Sequence, residues 1–428
     1  MPPASEASPV PFQRREPHRL RVLAGACGLG IGLGLIRSDF GVIGREMVVQ
    51  EWVSQADLGE LAALNMVGYL LGCVHQAQLK GKAQLLRSLR LALVVGVLCL
   101  WFGAVQSGQL GEGGLRVLAG WSAGHLMSGV PGLALAGVPS RHQRQAVATV
   151  MGGGALVALL GASAVAWLAP DSAAAAWLVV ACFATVLALP TLWLFNRGHR
   201  RWRDVGKPGD QQLRDEQPRD EQQESEQQVA MHDSGVTAIC WFPLIALTLA
   251  FALAGAAQVP MALYEPIVAS NRIGLDGSMS SASFSAMGLG GLMGSLVLLG
   301  LPRALPTALL LPAVAAVGGL GAWVYALARS PQLLLLSAFL IGWWSIMTSS
   351  LTLDCLPDLV PAELQRRCWA TFTTLNGLGF VICSMGTRSM AFTGLQTLLW
   401  LGVTLMAGVL LAQMCQVFRR SQSGNQSC

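Results

Sequence analysis

Charge is scarce in this chain: only 12% of its 428 residues are charged, against 53% that are hydrophobic, and the mean hydropathy is +0.53. A water-facing globule cannot hide that much apolar surface, so the chain requires a bilayer. No GxxxxGK[ST] loop exists to cradle ATP phosphates, so a pump driven by nucleotide would need a separate motor subunit. The ten cysteines are scattered singly, without CxxC or regular spacing. They read as small core hydrophobes, and neither a metal site nor a disulfide framework is indicated. Paired acids, His-rich clusters and a nucleophile with its base are not gathered at any one depth, so the chain does not read as an enzyme and no cofactor is implied.

What the chain has is long apolar runs. Hydrocarbon about 30 Å thick calls for roughly 20 apolar residues per helix. That rule predicts transmembrane segments near 22–44, 57–77, 89–107, 116–138, 146–168, 174–195, 238–262, 280–301, 307–328, 332–356, 368–387 and 394–417. An even number of segments leaves both termini on one side. Lys and Arg gather in cytoplasmic loops. With both termini cytoplasmic, 22 of the 28 basic residues fall on that side, including Arg87, Arg144, Arg366 and the Arg197 to Arg219 group. Arg45, Arg116, Arg272, Arg329 and Arg388 fall outside, and Arg37 lies within the membrane. The net charge of +5 is therefore topology and gives no sign of a nucleic-acid partner.

The chain is built twice. Residues 210–228, "DQQLRDEQPRDEQQESEQQ", have almost nothing apolar to bury and divide it. At an offset of 222, "GYLLG" (68–72) falls on "GGLMG" (290–294), Gly120-Trp121 on Gly342-Trp343, Val138-Pro139 on Val360-Pro361, and "RQAVAT" (144–149) on "RRCWAT" (366–371). Duplication explains this better than accident does. Six segments per unit make the two halves parallel, related by an axis along the membrane normal. The expected organisation is a disordered cytoplasmic tail at 1–19, a six-helix half at 20–195, a cytoplasmic linker at 196–236, a second six-helix half at 237–418 and a cytoplasmic tail at 419–428.

This all-α arrangement resembles the major facilitator superfamily, and in detail its YbfB/YjiJ-like branch. The residues that carry the resemblance are "GIGLGLIR" opening the first segment, "ALNMVGYLLG" in the second and the Pro266 exit of the seventh. Where that branch continues past the arginine with an aromatic and prolines, this chain has "SDFGVIG". Its loop "QAQLKGKAQLLRSLR" lacks the aspartate of the superfamily's GxxxDRxGRR signature, so residues 78–90 carry topology and lipid headgroup contact alone. The resemblance implies a bacterial inner-membrane carrier working by alternating access.

Polar groups inside the segments point to the pathway, because a charge near the bilayer centre needs a partner or a water-filled cavity. In "GLGIGLGLIRSDFGVIG" (28–44), Arg37 stands roughly 22 Å along the helix from Val22, at 1.5 Å per residue. It either snorkels to the outer headgroups or lines the cavity, where it would pair with Asp39 or Glu265. Asp39 reads equally as a solvated helix-end acid. Setting Gly255 on Gly34 puts Gln258 opposite Arg37, and Pro260 and Pro266 weaken the helix around it. Glu265 stands near the outer mouth, where an exposed loop acid is the competing reading. His125 is a buried backbone-bonded imidazole or a proton carrier. Trp343, with Trp344, is core or cavity wall, and Asn376 bonds helix to helix or to ligand. Asp354, Arg366 and Arg367 form a cytoplasmic gate or a plain interfacial ion pair.

The expected function is a secondary active transporter of a small organic solute, coupled to protons, embedded in lipid as a monomer. A non-transporting receptor or structural membrane protein is the alternative. Arg37 points to an anionic solute, while Glu265 and the tryptophans suit a cationic amphiphile.

Overall fold

A computed structural model describes residues 18–38, 40–169, 171–204, 241–265, 273–274, 277–302, 304–387 and 394–423. Most of the expected linker and tails, and Asp39, lie outside them. The described residues are almost entirely helical. Helix α1 (His18–Leu29) runs into a π-helical stretch, Gly30–Ser38, the two forming the first crossing, His18–Arg37, and α2 (Phe40–Val49) follows. Five more follow: α3 (Gln55–Gln78), α4 (Lys82–Phe102), α5 (Gly108–Leu135), α6 (Gln143–Leu168) and α7 (Ala173–Asp204). The second half repeats the plan. Its first crossing is α8 (Trp241–Gln258) with a π-helical stretch, Val259–Leu263, followed by α9 (Gly277–Gly300), α10 (Thr307–Leu327), α11 (Pro331–Asp354), α12 (Ala362–Thr387) and α13 (Leu395–Ser423).

Among the described residues, eleven helices are long and apolar enough to cross a membrane. The twelfth crossing, α5, has its apolar run diluted by glycines, serines and His125. Helix starts follow local chemistry. Ser54 caps α3 by accepting from the Asp57 amide at 3.2 Å, and its own amide donates to the Asp57 carboxylate at 3.1 Å, a reciprocal box that satisfies two otherwise orphaned donors. Ser330 caps α11, with Pro331 in the first turn where no amide proton is needed.

The duplication is visible atom by atom where helices cross. In the first half a Cβ added to Gly68 would collide with the Val117 carbonyl, one on Gly120 with that of Asn65, and one on Gly72 with that of Trp121. In the second half Gly290 would collide with the Phe339 carbonyl and Gly342 with that of Met287, and a Cβ on Gly294 would crowd the Trp343 carbonyl at 3.1 Å. Every partner is displaced by 222 residues. Helix α3 therefore crosses α5 as α9 crosses α11, and only glycine permits backbones so close.

The halves meet along two seams. On one, α6 faces α9, with Gly152 against Ser295 and Gly291 against Ala155. On the other, α3 faces α12, with Gly377 against the Tyr69 ring. We call the end of the bundle where α7 stops and α8 starts the linker end, and the opposite one the far end.

Candidate functional site

The first crossing of each half departs from α-helical winding, and both departures flank the polar residues that sequence put opposite one another. Such π-helical stretches disturb the regular ladder and are frequent where function needs a re-aimed side chain. The glycines of Gly30–Ser38 also let it lie on α6: a Cβ on Gly34 would stand 2.8 Å from the Ala158 nitrogen and 3.0 Å from the Gly154 oxygen.

At the end of that stretch the Arg37 guanidinium donates from Nη2 to Oε1 of Gln258 at 3.0 Å, joining the two halves. Its carbon also lies 5.4 Å from the Tyr69 ring centre and 5.8 Å from that of Phe380, within cation–π range. Arg37 is half-buried and held by α3, α8 and α12, elements of both halves. The expected partner Glu265 is not its partner in this conformation. Glu265 is 2% exposed, and among the described residues neither carboxylate oxygen has a partner at hydrogen-bond geometry, the Ser283 hydroxyl being merely near. It lies just beyond Ala262, the last residue of its crossing. Burial raises its pKa from 4.5 to about 7, with the Ser283 hydroxyl working the other way.

The remaining expected site residues disperse. His125 is buried and bonded through Nδ1 to the Trp121 carbonyl one turn back, at 3.0 Å. It packs edge-on against His75 at 4.9 Å, away from Arg37. Asn376 donates to the Phe251 carbonyl at 2.8 Å, a helix-to-helix bond. Trp343 is partly buried against the core and Trp344 is fully buried beside Gly318. Arg116, at the start of its segment, is fully buried within the first half, its guanidinium 4.4 Å from the Trp177 ring centre.

The linker end is closed by a second constellation. Arg144 of α6 donates from Nε to Asp354 of α11 at 2.9 Å, from Nη1 to the Pro302 carbonyl at 2.8 Å, and from Nη2 to the Leu305 carbonyl and the Thr307 hydroxyl, each at 3.1 Å. The ion pair is buried, with side chains 4% and 3% exposed. On the other seam, Arg366 of α12 donates to the carbonyls of Gln76 at 3.0 Å and Leu79 at 2.5 Å. Deeper along that seam, the Trp369 indole donates to the Met127 carbonyl at 2.9 Å, and the Ser128 and Thr373 hydroxyls meet at 3.1 Å. Arg367, expected with this group, is exposed.

Sequence reasoning treated Arg144 as a loop charge. The signal that could have found it was present, because Arg144 and Arg366 are identical residues at the 222 offset. Tyr69, Phe380, Ser128, Thr373 and Trp369 were missed because nothing in one sequence brings α3 and α5 against α12.

A bundle whose halves are clamped at the linker end, with a cation bonded across them deeper in, is suited to opening one end at a time. A family model described as the major facilitator superfamily matches residues 22–384. Among solved structures, a proton:xylose symporter named XylE, bound to 6-bromo-6-deoxy-D-glucose, superposes with a TM-score of 0.69 over 92% of this chain and 94% of its own, at 15% identity. A search of curated proteins found no match.

Proposed function

The chain belongs to the major facilitator superfamily, whose members are secondary transporters and not enzymes, and from that premise we propose that it carries a small organic solute across the bacterial inner membrane by alternating access, coupled to protons. The linker end, where basic residues concentrate, is the cytoplasmic end, and both termini lie there. The unit is the single chain in lipid. The observation that carries the reading is the Arg37–Gln258 bond between the first crossings of the two halves, inside the membrane and far from the linker-end clamps. A cation held across the pseudo-axis by a neutral amide can exchange that amide for solute when the far end opens, and such an exchange couples occupancy to conformation.

Proton coupling is assigned to Glu265. A buried carboxylate without a hydrogen-bond partner favours its neutral form, whereas the same group facing water ionises at its ordinary value. Below pH 4.5 the acid is neutral in either setting and contributes nothing. As pH rises from 4.5 through about 7, the conformation that buries it loses stability relative to one that hydrates it, and above that window the loss is complete.

Solute flux in proteoliposomes, with and without a pH gradient, tests the reading. Gradient-driven accumulation is expected in the wild type. The Glu265→Gln variant should keep solute exchange, lose accumulation, and lose the fall in thermal stability across that pH window. Accumulation undiminished in Glu265→Gln would remove this acid from coupling.

A further inference from the structure

We infer that the solute is a small organic monoanion, a carboxylate attached to a flat apolar body, which binds by its carboxylate to Arg37 and by its apolar face to Tyr69 and Phe380. The inference rests on the carrier reading above and adds a substrate class to it.

The hydrogen-bond acceptor of Arg37 is the amide of Gln258 and its flanking groups are two aromatic rings. Among the described residues no acid lies within ion-pair distance of it. Amide and ring faces orient and solvate a guanidinium, but they leave its charge in place, so among the described residues nothing neutralises Arg37. A cation in that setting is costly unless an anion joins it. Glu265, seven residues beyond Gln258, does not supply the anion, since it is buried and is not among the groups that hold Arg37.

Geometry narrows the class further. A guanidinium is a planar fork that matches a carboxylate with two parallel hydrogen bonds, a better arrangement than one amide oxygen offers. The Tyr69 and Phe380 rings stand 5.4 and 5.8 Å from the guanidinium carbon, so a carboxylate that takes the place of the Gln258 amide brings whatever it is attached to alongside those rings. A flat apolar body stacks there, and a polyhydroxylated one finds few partners. A cationic solute meets a like charge at Arg37, which rejects it. Moving a monoanion together with the proton of Glu265 is electroneutral.

The test uses three probes of matched shape on the purified full chain: benzoate, benzyl alcohol and benzylammonium. Benzoate is expected to raise the thermal unfolding midpoint of the wild type, while the other two leave it unchanged. Arg37→Gln should abolish the benzoate response. Should that variant fail to fold, Gln258→Glu provides an independent route, because it gives Arg37 an internal carboxylate and should weaken benzoate at least about tenfold. Tyr69→Leu and Phe380→Leu should weaken it less while keeping the preference for the anion. Stabilisation by benzylammonium in place of benzoate overturns the inference, as does a benzoate response unchanged in both Arg37→Gln and Gln258→Glu. No response to benzoate at millimolar concentration overturns it too. If proteoliposomes nonetheless transport some other solute, the carrier reading stands and only the substrate class falls; absence of all flux removes the carrier reading itself.

Discussion

Arg144 and Arg366 occupy equivalent places in the two halves, 222 residues apart, and each reaches across the linker end to the opposite half. Their chemistry differs. Arg144 is buried and holds a carboxylate, two carbonyls and a hydroxyl. Arg366 is half-buried and holds two carbonyls. The residue equivalent to Asp354 in the first half is Gly132, and a Cβ placed on it would lie 4.0 Å from the Arg366 side chain. The acid is therefore missing at the very spot where the repeat would put it. One clamp cannot open without separating a buried ion pair, whereas the other releases carbonyls that water can satisfy. The comparison teaches that duplication supplied two arginines and divergence made only one of them the lock.

The largest expected effect comes from breaking that lock. Arg144→Ala leaves Asp354 buried without its counter-charge, which costs about 3–5 kcal/mol. The linker end should then open, and the seam thiol Cys73, fully buried and accepting a bond from Ser128, should become reactive. Site-resolved mass spectrometry after treatment with a thiol reagent reads this out. Arg366→Ala should expose Cys73 by a smaller step, because it removes charge-assisted bonds to carbonyls worth about 1.5–3 kcal/mol and strands no charge. Equal labelling in the two variants would erase the distinction between the clamps. Smallest of all, Gly132→Asp should give Arg366 the acid it lacks. At a partly exposed site such a pair contributes about 0.2–1 kcal/mol, visible as slower Cys73 labelling than in the wild type.

Much of this was legible in the sequence, for physical reasons that can be named. Apolar length located the crossings, and the 222 offset anticipated that Gly68 and Gly290 would sit at equivalent crossings, because close backbone approach admits no other residue. Aligning Gly255 with Gly34 put Gln258 opposite Arg37, and the two are bonded at 3.0 Å. That Glu265 would not meet Arg37 was not to be had from sequence, since the π-helical winding of Val259–Leu263 changes which face each following residue presents. The burial of Arg144 and Arg116 was not to be read from sequence, because hydropathy assigns depth along a helix and says nothing of which neighbour covers it. Arg144 opens α6 yet is buried by the other half, and Arg116 is enclosed by Trp177 from α7.

If the Arg144–Asp354 pair holds the linker end shut, the two ends open in turn. Spin labels at exposed positions measure both ends at once: Gln84 and Ala304 across the linker end, Gln106 and Gln332 across the far end. Distance distributions for the wild type and Asp354→Asn, taken by double electron–electron resonance in lipid nanodiscs, test it most directly. The account predicts that Asp354→Asn adds a longer Gln84–Ala304 population and, in the same molecules, a shorter Gln106–Gln332 one. A Gln84–Ala304 distance that stays as in the wild type, or lengthening at both ends together, would contradict it.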